Sequence, residues 1–357
     1  MPEKLIQIRH HVDDYECMWN GIEDLYLTKT GETIPDFFFF AMAGIGNFIY
    51  LRTPKSAVKR WAVWNDGRTI KMYERLAPII GFRYKHTEGT SFSCMLKRAK
   101  QSVDANNPVV LGCLDMYYLS YYPKFYHKEH IPIHYVLMVG YDEEKQCVYI
   151  LDCGAGAVQE LSCADLEEAL NVPKTDLSDK NGMFTIAFDE KLPGAREIAV
   201  RAFTEKACNM LEPPTGFLGI KGMRKLAKEF GTWKSELSEE EYRAALRSIV
   251  TFTGTVPLLP DVLLKPEERS GILHQAAREK LACVMKELSA RYELPAWRRS
   301  AQEFEKSGAL LSHMTGRMTD YLLGSCGGLD DVPGLIAEIA EIEKKAFVYM
   351  LEAENRE

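Results

Sequence analysis

The chain has 357 residues, of which 46% are hydrophobic and 27% charged. That is the composition of a soluble globular protein of about two domains, and it excludes a disordered, collagenous or low-complexity chain. A net charge of −7 and a pI near 5.8 argue against nucleic acid as a partner, since nucleic-acid-binding domains are normally basic.

The first residues, Met1-Pro2-Glu3-Lys4, lack the basic start and apolar core of a secretory signal, so no export is expected. Cys17, Gly21, Asp24 and Leu25 fall at turn spacing and predict a helix that begins near Cys17. The longest apolar stretch, Phe37 to Leu51, is broken by Gly44, Gly46 and Asn47. It is shorter than the roughly 20 residues a membrane helix requires, so it is expected in a core and no membrane partner is expected. Gly44 and Gly46, without a third glycine or a following Lys-Ser/Thr, read as a tight turn rather than a phosphate cradle. Residues 1–50 hold 3 basic and 8 acidic side chains, whereas 51–100 hold 12 and 3, a local basic block.

Met95 to Val103 has helical spacing and Pro108 to Leu114 reads as a buried strand. His134 to Tyr141 and Cys147 to Asp152 predict two further strands, joined through the polar turn 142–146 into a hairpin. From about Ala195 the texture changes to long helices. Ser238 and Glu241 form a capping-box pattern ahead of one helix, and further helices are predicted over Gly271–Tyr292, Ala301–Leu323 and Val332–Glu354. The division is thus α+β, with an N-terminal domain over 1–190 and a helical C-terminal domain over 191–357, the best loop lying near 211–216.

The nine cysteines, spread from Cys17 to Cys326, include no Cys-x-x-Cys pair. Neither a disulfide framework nor a zinc knuckle is expected, and a reducing cytoplasm is. Cys17, His134 and Asp152 nevertheless make a set. A thiol at a helix N-terminus feels the positive end of the helix dipole, which favours the nucleophilic thiolate. An imidazole within reach serves as base, and a third group must orient it. The hairpin puts His134 and Asp152 on paired strands. The plain alternative is that Cys17 is a small core residue.

The run His130–Asp142 (HIPIHYVLMVGYD) followed by Val148–Asp152 (VYILD) resembles the His strand, hairpin and Asp strand of the papain-like superfamily. More closely, Pro108–Tyr122 (PVVLGCLDMYYLSYY), with His11, Cys17 and Phe40–Tyr50 (FAMAGIGNFIY) in order, resembles the N-terminal domain of the butirosin biosynthesis H protein family. Gly216–Lys228 (GFLGIKGMRKLAK) and Trp233 resemble the helical domain that accompanies it. The resemblance implies a papain-like N-terminal domain with a helical C-terminal domain. It also implies an acyltransferase that moves an acyl group from a carrier-protein thioester to an amine in antibiotic biosynthesis. Cys17 is then the nucleophile, His134 the base and acid, and Asp152 the orienting group. No cofactor is required, because the phosphopantetheine arm arrives with the acyl or peptidyl carrier protein. The same three residues also suit a cysteine peptidase or amidase, or a silent papain-like binding module.

Two departures stand out. Glu16 precedes Cys17 where relatives commonly carry histidine, and His11 occupies the position, six residues before the cysteine, where papain-like enzymes place a glutamine. His11 can donate to an oxyanion beside the Cys17 N–H, or be structural. Five tyrosines, Tyr117, Tyr118, Tyr121, Tyr122 and Tyr126, crowd the stretch before His134 and suit either an aromatic acyl chain or sugar, or a packed loop. Asp115 suits a cationic amine, or is a solvated strand-end carboxylate. Arg52, Lys55 and Lys59, with Arg60, Arg68 and Lys71, offer a docking face for an acidic carrier protein, or a solvated charge run.

Overall fold

The computed structural model describes residues 4–12, 17–65, 69–174, 178–253, 277–325 and 327–352. Glu16, Arg68, Cys326, the first six residues of the helix expected from Gly271, and the last residues of the one expected to reach Glu354 lie outside them. In chain order come β1 (Lys4–Leu5), α1 (Cys17–Thr30), α2 (Phe38–Ala43), β2 (Ile45–Arg52), β3 (Arg60–Asn65), α3 (Thr69–Ile80), β4 (Phe82–Thr87) and α4 (Phe92–Asp104). They are followed by β5 (Val109–Leu114), β6 (His134–Asp142), β7 (Cys147–Asp152), β8 (Ala155–Ser162), α5 (Cys163–Leu170) and β9 (Met183–Phe188). Helices then take over: α6 (Ala195–Leu211), α7 (Gly219–Phe230), α8 (Trp233–Glu236), α9 (Glu239–Thr253), α10 (Ala277–Arg291), α11 (Pro295–Leu322) and α12 (Val332–Leu351).

The chain divides into two compact units, Met1–Ile34 with Arg68–Gly194, and Pro35–Gly67 with Ala195–Glu357. The architecture is mixed α and β, an antiparallel sheet in the first unit and a helical C-terminal region in the second. The second break falls four residues beyond the expected 190, but residues 35–67 belong with the C-terminal helices. Aromatic pairing explains the insertion. Phe48 meets Trp64 edge-on at 4.6 Å, Tyr50 stacks on Trp233 at 6.0 Å, and the Tyr50 hydroxyl donates to Glu229 at 2.6 Å. The apolar stretch expected as one core segment is split into α2 and β2, with Gly44 capping the helix. Among the described residues, no helix is long and apolar enough to cross a membrane.

The first unit is built on a seven-stranded antiparallel sheet ordered β4-β9-β5-β6-β7-β8, with β1 also on β6. Strands β5, β6 and β7 are buried along their whole length, so they read as apolar runs rather than alternating ones. One face packs Val109, Leu111, Val136 and Met138 against Met95, Ala99 and Val103 of α4. On the other face lies α1, and Gly21 sets its distance. A Cβ there would stand 2.9 Å from Val110 Cγ2 and 3.2 Å from Leu137 Cδ1, so only hydrogen lets the helix settle this close to β5 and β6. The hairpin turn predicted over 142–146 is present, with Asp142 opposite Cys147.

In the second unit, the capping box forms as its sequence specifies. Ser238 N donates to Glu241 Oε2 at 3.1 Å and Glu241 N to Ser238 Oγ at 3.2 Å. Helix α11 begins six residues before the expected Ala301, because Pro295 is well suited to a first helical turn.

Candidate active site

Three elements of the first unit converge. Cys17 opens α1, His134 opens β6 and Asp152 ends β7. His134 Nε2 meets Asp152 Oδ2 at 2.7 Å, with both side chains buried. Cys17 lies near enough to the same ring to help favour its charged form; with Nε2 engaged, Nδ1 is the nitrogen left for it. Cys17 itself is half-buried, and its Sγ stands 4.0 Å from the Ile133 carbonyl. The three residues set together in the sequence are therefore neighbours in space.

Burial alone would push the His134 pKa down, but the Asp152 charge and Cys17 outweigh it and hold the pKa raised, which favours the imidazolium. Asp152 is in the complementary position. Burial would raise it, yet the charge of His134 and the hydrogen bonds from His134, Tyr121 and Cys153 hold it below the usual carboxylate value. His134, Asp152 and Cys153 have ligand atoms within 4.8 Å of one another, the donor types of a metal site. The 2.7 Å contact between His134 and Asp152 is a hydrogen bond, and the carboxylate is occupied by other donors as well, so the three form a hydrogen-bonded network.

The tyrosine stretch divides by role. Tyr121 donates to Asp152 Oδ2 at 2.6 Å and Tyr122 to Oδ1 at 3.3 Å, so both hydroxyls are spent on the carboxylate. Tyr122 also meets the His134 ring edge-on at 5.9 Å. Tyr117 stacks on His130 at 4.0 Å, and Tyr118 meets Tyr117 edge-on. Asp115, considered for a cationic amine, closes this loop instead. It accepts from Tyr117 N at 3.1 Å, Ile131 N at 2.8 Å and the His130 ring at 2.7 Å. Its carboxylate thereby pins the segment that delivers Tyr121, Tyr122 and His134.

His11 is half-buried, and its backbone is tied to α1. Its N–H donates to Asp24 Oδ1 at 2.8 Å and its carbonyl accepts from Asn20 at 2.6 Å. The neighbouring His10, overlooked in the sequence, bridges Asp24 Oδ2 through Nδ1 and the Ala155 carbonyl through Nε2, each at 2.8 Å. Burial lowers its pKa, but Asp24 and these acceptors outweigh that and leave it raised. The bridge links α1 to the turn after Asp152. The buried polar Asp24, beside the equally buried Asn20 and Glu23 of α1, was the available signal.

Of the basic block, Arg52, Lys55, Lys59 and Arg60 lie in the second unit, and Arg68 and Lys71 in the first. Arg52 pairs with Glu229 at 3.0 Å, Arg60 with Glu236 at 2.8 Å and Lys59 with Glu241 at 4.0 Å. Lys55 is exposed. Much of the charge counted in the sequence is thus balanced by acids of the C-terminal helices.

No curated protein matches the chain. Residues 16–153 match the family described as butirosin biosynthesis protein H, N-terminal, and residues 164–255 match a domain of unknown function, DUF4872. The first match spans Cys17, His134 and Asp152 with the tyrosine loop between them, and the second begins on α5, so residues 16–153 carry the N-terminal domain of the butirosin biosynthesis protein H family.

Proposed function

We propose that the protein is a cysteine-dependent acyltransferase of antibiotic biosynthesis with a papain-like catalytic arrangement, taking its acyl group from a carrier-protein thioester and giving it to an amine. The observation that carries this reading is the series Cys17, His134 and Asp152, drawn together from α1, β6 and β7 with a 2.7 Å His134–Asp152 bond. A cysteine sulfur beside an imidazole whose charged form is favoured has a base to take its proton, the condition for a thiolate nucleophile.

Cys17 Sγ attacks the thioester carbonyl and the tetrahedral oxyanion forms against the Cys17 N–H at the start of α1, with His11 the candidate second donor. Collapse breaks the bond to the carrier thiol, which leaves with the proton from His134. The acceptor amine then attacks acyl-Cys17, its proton passes to His134, and the amide departs as the Cys17 thiolate is restored. One thioester replaces another in the first step, so the free energy of the donor is kept until the amide forms. Phosphopantetheine belongs to the donor, and the protein supplies nucleophile, proton carrier and orientation.

Incubation with acyl-N-acetylcysteamine thioesters followed by intact-mass analysis tests the covalent route. The expected result is a single acyl adduct, absent in Cys17→Ala and discharged faster by added amines than by water. Discharge at one rate with and without amines assigns the site to hydrolysis, and amide formation by Cys17→Ala removes the covalent route.

A further inference from the structure

The loop between β5 and β6 is tied to the triad at more points than chain connection requires. Asp115 draws its two ends together through Tyr117 N, Ile131 N and His130. Rings of Tyr126, His127, Tyr117 and His130 stack in sequence, with outer centroid spacings of 4.0 and 4.0 Å and a middle one of 5.2 Å. The loop so stiffened carries Tyr121 and Tyr122 to Asp152. A carboxylate offers about four lone-pair sites. Here Oδ2 receives His134 and Tyr121, Oδ1 receives Tyr122, and the Cys153 thiol supplies a further donor.

We infer that Tyr121 is a positioning residue of the triad: its hydroxyl shares Asp152 Oδ2 with His134 and locks the carboxylate in the orientation that holds the imidazole toward Cys17. The inference rests on the triad reading above and extends it. A carboxylate bound only by His134 would rotate about its terminal torsion, a broad and soft one. With Tyr121 on the same oxygen, rotation breaks two short bonds at once. Burial and the Asp152 charge both raise the Tyr121 pKa above the ordinary phenol value, so it remains a donor throughout the neutral range. Tyr122 reaches the other oxygen at 3.3 Å, a longer bond that bears on His134 less directly. The groups facing the dyad are Cys17 from α1, Tyr121 and Tyr122 from the loop, Cys153 beyond β7, and His10 beside the Asp152 backbone.

The test is iodoacetamide alkylation of Cys17 between pH 5 and 9, followed by peptide mapping, which requires no knowledge of the substrate. The exposed Cys208 and Cys283 serve as references and the buried Cys147 as a check on folding. Wild-type Cys17 is expected to outpace both references below pH 7. In Tyr121→Phe, which keeps the ring, the His134–Asp152 bond loosens and the imidazolium is less populated. Cys17 alkylation at pH 6 should then fall about tenfold, the equivalent of about one pKa unit, while Tyr122→Phe falls less. In the Asp152→Asn background, Tyr121→Phe should change nothing further, because the phenol acts only through the carboxylate. A Tyr121→Phe profile that superimposes on wild type overturns the inference, as does a further loss in the Asp152→Asn background. Should Tyr121→Phe expose Cys147, the Asp152→Asn comparison decides alone. Wild-type Cys17 reacting no faster than Cys208 would instead sink the triad reading itself.

Discussion

Asp152 is fully buried yet ionised, an expensive state for an isolated carboxylate and a stable one for a carboxylate with its lone pairs engaged. The His134 pKa is raised in the folded protein. Its contribution to stability is therefore complete below the ordinary imidazole value of about 6.5, and it is lost as pH climbs through the raised one, about 10. Asp152 is held low, so its share is present above the ordinary carboxylate value of about 3.9 and lost as pH falls through the lowered one. Wild type should accordingly melt above His134→Gln by the widest margin between about pH 4 and 6.5, with the margin closing toward pH 10. A constant margin from pH 7 to 10, measured by thermal scans in one buffer series, would mean that the folded imidazole is neutral. At this scale Cys17, His134 and Asp152 were legible as a candidate set, because their types, their order and their places on a helix start and two strands are local properties. Tyr121 was legible only as an aromatic. Its partner lies 31 positions away, and nothing in a tyrosine-rich stretch distinguishes a hydroxyl aimed at a carboxylate from one aimed at a ligand.

Helix α1 carries Cys17 in its first turn, so the helix must sit at one height on the sheet for the sulfur to meet His134. Gly21 fixes that height against Val110 and Leu137, and the His10–Asp24 bridge to Ala155 fixes its end. Adding a methyl at 21 forces helix and sheet apart and should cost about 1–3 kcal/mol, the usual penalty of overpacking. Gly21→Ala is expected to lower the denaturation midpoint and also slow Cys17 alkylation; a loss of stability with unchanged Cys17 reactivity would show that the helix start is held independently. The hairpin of β6 and β7 could be placed from sequence because its two strands are adjacent and its turn is polar. The hairpin of β2 and β3 could not, since the aromatic and acidic partners that fix it, Glu229 and Trp233, lie about 180 residues further on.

The second unit is held across equally long separations by a buried ion pair. Arg278 of α10 clamps Glu343 of α12 through Nε and Nη2 at 2.6 and 2.8 Å, reaches the Trp64 carbonyl at the end of β3, and shares Glu343 with Ser307 of α11. Both charges are excluded from water. Removing one partner leaves the other buried and alone, so Arg278→Met should cost about 3–5 kcal/mol. The double variant Arg278→Met, Glu343→Leu should recover most of that loss in chemical denaturation, and a double variant as unstable as the single would show that the Trp64 contact outweighs the pair. The same arrangement sets a schedule for synthesis. The hairpin of β2 and β3 leaves the ribosome about 130 residues before α6, the first of the C-terminal helices it packs against. At about 5–20 residues per second, Phe48, Tyr50 and Trp64 wait on the order of ten to thirty seconds with no core to enter, which makes the nascent chain a client for whatever shields apolar surface at the ribosome exit.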